Sequence, residues 1–186
     1  YDDTVTITNA TFTDSLGYYG GVIALGQYSE LDLSDSTFQS NTAYYYGGDL
    51  WATANSELSV TDVTFTDSSV TSYYGGSVYL YNSDVEMDGV DFDTPSAGSH
   101  GGAVYAYYLS DTLYMTDVTI DSASSGANGG GIYAYYVADL DLTDVSVTNS
   151  TATSNGGGIY SYYYSALSAS GLELDANTSG GHGGGL

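Results

Sequence analysis

Gly129-Gly130-Gly131-Ile132-Tyr133 is one copy of a pattern in which a glycine pair is followed, at the fourth position, by an aliphatic residue and then usually by an aromatic. Further pairs stand at Gly20-Gly21, Gly47-Gly48, Gly75-Gly76, Gly101-Gly102, Gly156-Gly157 and Gly183-Gly184. Successive pairs begin 27, 28, 26, 28, 27 and 27 residues apart. Self-similarity at so constant a period is the signature of a repeat architecture in which each unit stacks on its neighbours.

Aligning the copies on the glycines exposes columns of like residues. The fourth position is Ile23, Leu50, Val78, Val104, Ile132 and Ile159, and two residues on come Leu25, Ala52, Leu80, Ala106, Ala134 and Ser161. Alternation with a period of two marks a strand with one buried face. A second alternating pair follows, Leu31/Leu33, Leu58/Val60, Val85/Met87, Leu113/Met115, Leu140/Leu142 and Leu167/Ala169. Next comes a column restricted to Asn9, Asp35, Asp62, Gly89, Asp117, Asp144 and Gly171, the residue types that best tolerate a left-handed backbone, which predicts a tight bend. After the bend a third strand turns Phe12, Phe38, Phe65, Phe92, Ile120, Val147 and Leu174 inward. The expected fold is all-β, a parallel coil of six to seven turns with about 27 residues and three short strands per turn. At roughly 4.8 Å per rung, six complete turns make a rod on the order of 30 Å long. Apolar residues never recur at helical spacing over a helix-length window, so a helical reading fails.

The repeat runs from end to end, so residues 1–186 are expected to form a single solenoid domain. The chain has 23 Asp plus Glu, two His and neither Lys nor Arg, a net charge of −23. Nucleic acid and anionic membrane surfaces are bound mainly through Lys and Arg, so both are excluded as expected partners. A hydrophobic content of 42% separates the chain from acidic disordered proteins. It contains no Cys and no apolar run long enough to span a bilayer, so no membrane insertion is expected.

The GGAVY and GGGIY starts, together with Phe38-Gln39-Ser40-Asn41, resemble the GGAI and FxxN repeats of polymorphic outer-membrane and autotransporter-type passenger proteins. More broadly they resemble right-handed parallel β-helix proteins of the pectate-lyase-like superfamily. The resemblance implies a right-handed parallel β-helix and an extracellular or cell-surface location. Lyases of this kind use Arg or Lys as base, and hydrolases use clustered Asp with a His and basic substrate-binding groups. This chain has no such basic residue, and His100 and His182 each precede a glycine pair, in a column shared with Tyr19, Tyr46, Tyr74, Asn128 and Asn155. A turn role is expected for both, and no catalytic residue is assigned.

Aromatic residues are the strongest anomaly, with 22 Tyr, four Phe and one Trp. Trp51, Tyr79, Tyr105, Tyr133 and Tyr160 form one expected outward column, and Tyr81, Tyr107, Tyr135 and Tyr162 the next, extended by Tyr108, Tyr136 and Tyr163. Tyr18-Tyr19, Tyr45-Tyr46 and Tyr73-Tyr74 border the same glycine corner from its other side. A large exposed aromatic surface signals a partner protein, a stacked glycan, or a ladder that stabilises itself by roughly 0.2–1 kcal/mol per pair. On the remaining outward columns carboxylates are expected to be diluted by Ser and Thr, because neighbouring charges repel by roughly 1 kcal/mol in water. No resident cofactor is expected. The adjacent bend residues Asp35 with Asp62, and Asp117 with Asp144, are candidate Ca²⁺ ligands, set against a purely conformational role. Asn9, Asn149 and Asn177 lie in N-glycosylation sequons.

The function expected from these features is that of an extracellular structural or adhesive rod that self-associates through the tyrosine surface. The register of the first and last segments suggests that copies stack head to tail, or that the chain is a segment of a longer rod. A carbohydrate-binding module, or a degenerate polysaccharide-active enzyme, is the alternative.

Overall fold

The computed structural model describes residues 3–186. It is built from short parallel strands that return to the same place once per turn and pair with their equivalents one turn away. The three expected strands are all present. Sheet A starts at Asp3–Thr8 and Ser29–Ser34, sheet B at Thr11–Thr13 and Thr37–Gln39, and sheet D, directly after the glycine corner, at Ile23–Leu25 and Leu50–Thr53. A fourth strand, starting at Leu16–Tyr19 and Thr42–Tyr46 and shrinking to Ser69–Val70 and its later equivalents, forms sheet C between B and the corner. Sheets A, B and C have seven strands each and sheet D six, which makes about seven turns.

Pairing is in register by column, so like side chains stack on like. Val85 lies opposite Leu113, Met87 opposite Met115, and Phe65 between Phe38 and Phe92. The phenyl rings of Phe12, Phe38, Phe65 and Phe92 follow one another at 4.8, 4.9 and 5.0 Å between centroids, the strand spacing itself. Leu31, Leu58, Leu80, Leu113, Leu140 and Ile132 complete a buried apolar interior. The unequal spacing of the glycine pairs is absorbed in the turns and, in the first turn, by a register shift within sheet C between Gly17 and Tyr19. Two residues intervene between Tyr81 and Asp84, but four between the equivalent Tyr107 and Thr112.

The corner explains why glycine comes in pairs. Gly129, the first of its pair, has a φ of +66°, which most side chains avoid. Gly130 has no such strain, but a Cβ there would collide with the carbonyl oxygen of Gly157 on the next turn. One glycine permits the turn and the other lets adjacent turns approach. The bend between sheets A and B also has its expected conformation, with φ of 49° at Asp35, 53° at Asp62 and 50° at Asp117. Gly89 in the same column has a φ of +64°, in the left-handed region that favours glycine.

A second left-handed bend, between sheets B and C, runs through Asp14, Ser40, Asp67, Thr94, Ser122 and Asn149. Asn41, the Asn of the FxxN motif, follows it. Its Oδ1 accepts the Ser15 N–H at 2.9 Å, and its Nδ2 donates to the Phe12 carbonyl at 3.2 Å, stitching one turn to the previous one. Asn177 repeats both bonds with Ser150 and Val147.

Candidate functional site

The sheet D strands carry their aromatics outward because the alternate positions, Val78/Leu80 and Val104/Ala106, are committed to the core. The inner aromatic column nevertheless departs from the expectation that it is exposed. Tyr79, Tyr105 and Tyr133 are only 9, 7 and 7% exposed and form a second apolar cluster outside the solenoid wall. Tyr79 and Tyr105 stack at 5.3 Å with planes 6° apart, and Tyr105 and Tyr133 at 5.0 Å and 1°. Each ring is also capped from across the glycine corner. Tyr46 stacks on Tyr79 at 4.7 Å, Tyr74 on Tyr105 at 4.5 Å, and His100 on Tyr133 at 4.6 Å. The two tyrosine groups that border the corner thus merge, since the side-chain-free glycines leave room for rings to lean across.

Burial has an electrostatic consequence. It raises the phenol pKa of Tyr133 to about 12, with Tyr160 and Tyr135 adding a smaller upward push, and it raises Tyr79 and Tyr105 further. Burial also lowers the His100 imidazole below its ordinary value. Its Nδ1 accepts the Asn128 N–H at 3.2 Å, just as Asn128 Oδ1 accepts the Asn155 N–H at 3.1 Å, so His100 has the turn role expected of its column.

The outer aromatic column is the one that meets solvent. Tyr81 is 37% exposed and Tyr162 50%, while Tyr107 and Tyr135 are half-buried. Beyond them Tyr108, Tyr136 and Tyr163 take left-handed backbone at the turn into sheet A, and all three are exposed. A trough of about 380 Å³ runs between the inner and outer rows, lined by Tyr46, Tyr79, Tyr105, Tyr107 and Tyr133 among others. Trp51 and Tyr160 pack at the flanks of the same cluster.

Charge is partitioned between faces. From Asp14 onward every acidic residue except Asp49 lies on sheets A and B or in the turns that border them. The strands of sheets C and D carry no carboxylate. On sheet A the expected dilution does not hold everywhere, since Glu30, Glu57 and Asp84 occupy one column on three successive turns. On sheet B, Asp93 lies beside Asp121. Bonds from Thr148 and Asn149, each 2.7 Å, hold the Asp121 carboxyl below its ordinary pKa.

The candidate calcium ligands Asp35, Asp62, Asp117 and Asp144 are exposed at their bends. Among the described residues no three acidic or His side chains converge in a way that could hold a metal ion. Each adjacent pair offers two carboxylates toward the six to eight oxygens that Ca²⁺ takes. Of the sequon residues, Asn9 and Asn149 are exposed. Asn177 is half-buried, and the Nδ2 that would carry a glycan donates to the Val147 carbonyl at 2.7 Å.

Asp49 lies apart from these groups. It is fully buried just past the Gly47-Gly48 corner, where its Oδ1 accepts a bond from Asn41 Nδ2 at 2.9 Å. The Ser68 and Ser77 hydroxyls face it, yet neither closes a well-aligned bond to its buried Oδ2. The signal was present in the sequence: the column reads Val22, Asp49, Ser77, Ala103, Gly131 and Gly158, and only one member can ionise. Among the described residues no helix is long and apolar enough to cross a membrane.

Comparison with known families gives a match to the one described as right handed beta helix region, over residues 1–179. Neither the comparison with curated proteins nor that with solved structures gives a match.

Proposed function

The chain belongs to the right-handed β-helix family, and from that premise we propose that it is an extracellular structural or adhesive rod that associates side to side through its tyrosine face. The observation that carries this reading is the partition of charge. A molecule of net charge −23 repels its copies, but the repulsion originates on sheets A and B. The strands of sheets C and D carry no carboxylate and present an outer row of tyrosines on in-register strands. Tyrosine supplies large amphipathic contact area at low entropic cost, which suits it to interfaces.

Replacing Tyr81, Tyr107, Tyr135 and Tyr162 with Ser tests the reading, because it strips the outer row and leaves the buried stack. Sedimentation and electron microscopy at moderate salt are expected to show assemblies for the parent chain and none for the variant. Equal assembly by both would sink lateral association through this face.

The trough favours glycan binding as a second reading, since aromatic troughs hold sugar rings. Its inner rings, however, already spend their faces on each other, and what they turn outward is edges. Retention on neutral or acidic polysaccharides that disappears with Tyr107→Ser would favour it over self-association. A catalytic role has less support, because no Lys or Arg is present and His100 is engaged in its turn.

A further inference from the structure

We propose that the exposed tyrosines of neighbouring turns form an oxidative cross-linking site, in which Tyr108 and Tyr136 couple ring to ring as a dityrosine that staples one turn of the solenoid to the next. Three observations select this pair. Their rings are stacked at 4.5 Å with planes 14° apart, and the two residues are 45 and 39% exposed. Their backbones are fixed rather than loose. The Tyr108 N–H donates to the Tyr135 carbonyl at 3.0 Å and the Tyr136 N–H to the Tyr163 carbonyl at 3.1 Å, so the register of the coil sets the separation. Other pairs meet only part of this description. Tyr74 and Tyr105 are equally close, but Tyr105 is 7% exposed, and Tyr163 stands 6.0 Å from Tyr136 at 33°.

Coupling needs a phenol that can lose both an electron and a proton, and therefore one in contact with water. The oxidant is of the peroxide class, delivered as one-electron equivalents by a haem peroxidase. Each phenol gives up one electron and its hydroxyl proton, and the two phenoxyl radicals join at ring carbons ortho to oxygen. The hydrogens on those carbons then shift to the oxygens and restore two phenols. The two electrons and two protons released reduce one hydrogen peroxide to two waters. The buried stack is a poor competitor, because burial disfavours loss of the proton from Tyr133 and its neighbours.

Tyr114 is an internal control. It is 48% exposed, so an oxidant reaches it equally well, but its in-register neighbours are Glu86 and Asp141 rather than rings. The step needs one molecule only, so it stands or falls independently of lateral association.

The test is to treat the dilute full chain with peroxidase and hydrogen peroxide, isolate the monomer by size exclusion, and map links by mass spectrometry after cleavage at acidic residues. Trypsin has no site in this chain. The expected product is a monomer lighter by two hydrogens, with dityrosine fluorescence, a Tyr108–Tyr136 link and a higher melting temperature. Tyr108→Phe keeps the ring stack and is expected to lose that link, whereas Tyr114→Phe leaves its yield unchanged. A monomer without the Tyr108–Tyr136 link overturns the proposal. So does a link that forms only between molecules, or one joining Tyr114 as often as Tyr108.

Discussion

Asp49 is the only buried carboxylate among the described residues, and its cost depends on its charge. Burial raises its pKa to about 7 against the downward pull of Ser68, Asn41 and Ser77. In the unfolded chain the same group titrates near the ordinary Asp value. The folded state therefore binds the proton more tightly. Stability from the neutral form is complete below about pH 4 and is lost as pH rises through about 7, a swing of roughly 4 kcal/mol. Burial of His100 adds a histidine contribution over part of the same range, so the Asp49 contribution is isolated by the difference between the parent and a variant that lacks only its charge. Asp49→Asn keeps the shape and removes the charge. Urea unfolding is expected to show the variant more stable than the parent at pH 8, with the difference narrowed to about half at pH 5.5. A parallel pH dependence in both would mean that Asp49 stays neutral or finds a partner on ionising.

At the scale of the strand and turn, the two glycines of a corner make separable demands, and so do the bends. Gly130→Ala drives a methyl into the backbone of the next turn and is expected to cost roughly 3 kcal/mol, the upper range for overpacking. Asp62→Asn keeps a residue that tolerates left-handed backbone and is expected to cost less than about 0.5 kcal/mol. Denaturant midpoints of the two variants check the contrast. The same distinction explains what could be read from the chain alone. The inward columns and the Asp35 bend leave residue-type signatures at every repeat, because alternation and left-handed backbone each restrict composition. Sheet C does not, since a strand as short as Ser69–Val70 is over before any alternation shows. The burial of Tyr79, Tyr105 and Tyr133 was hidden for another reason. It comes from rings that lean across the corner from the preceding turn, while local alternation still marks these positions as outward. The ladder of Glu30, Glu57 and Asp84 was legible in principle, but only in the first outward column of sheet A.

For the whole molecule the decisive quantity is how the −23 charge is spread over the surface. Carboxylates one rung apart repel by roughly 1 kcal/mol even in water, and Glu30, Glu57 and Asp84 form two such contacts on a single column. Salt shortens the Debye length from about 30 Å at 0.01 M to about 10 Å at 0.1 M, which removes the longer-range part of this repulsion first. Two effects follow from one cause. The monomer's melting temperature is expected to rise with NaCl, and replacing Glu30, Glu57 and Asp84 with their amides is expected to raise it at low salt and flatten the rise. Lateral association is expected to strengthen over the same range, because screening weakens repulsion between sheets A and B of neighbouring rods but leaves contacts on sheets C and D intact. Comparing CaCl₂ with NaCl at equal ionic strength separates screening from binding. With only paired carboxylates at the bends, the two salts are expected to give closely similar melting temperatures. An additional rise in Ca²⁺ that is lost in Asp35→Asn/Asp62→Asn would instead assign the bend column to the metal. Indifference to both salts would show that the acidic face is not what limits this fold.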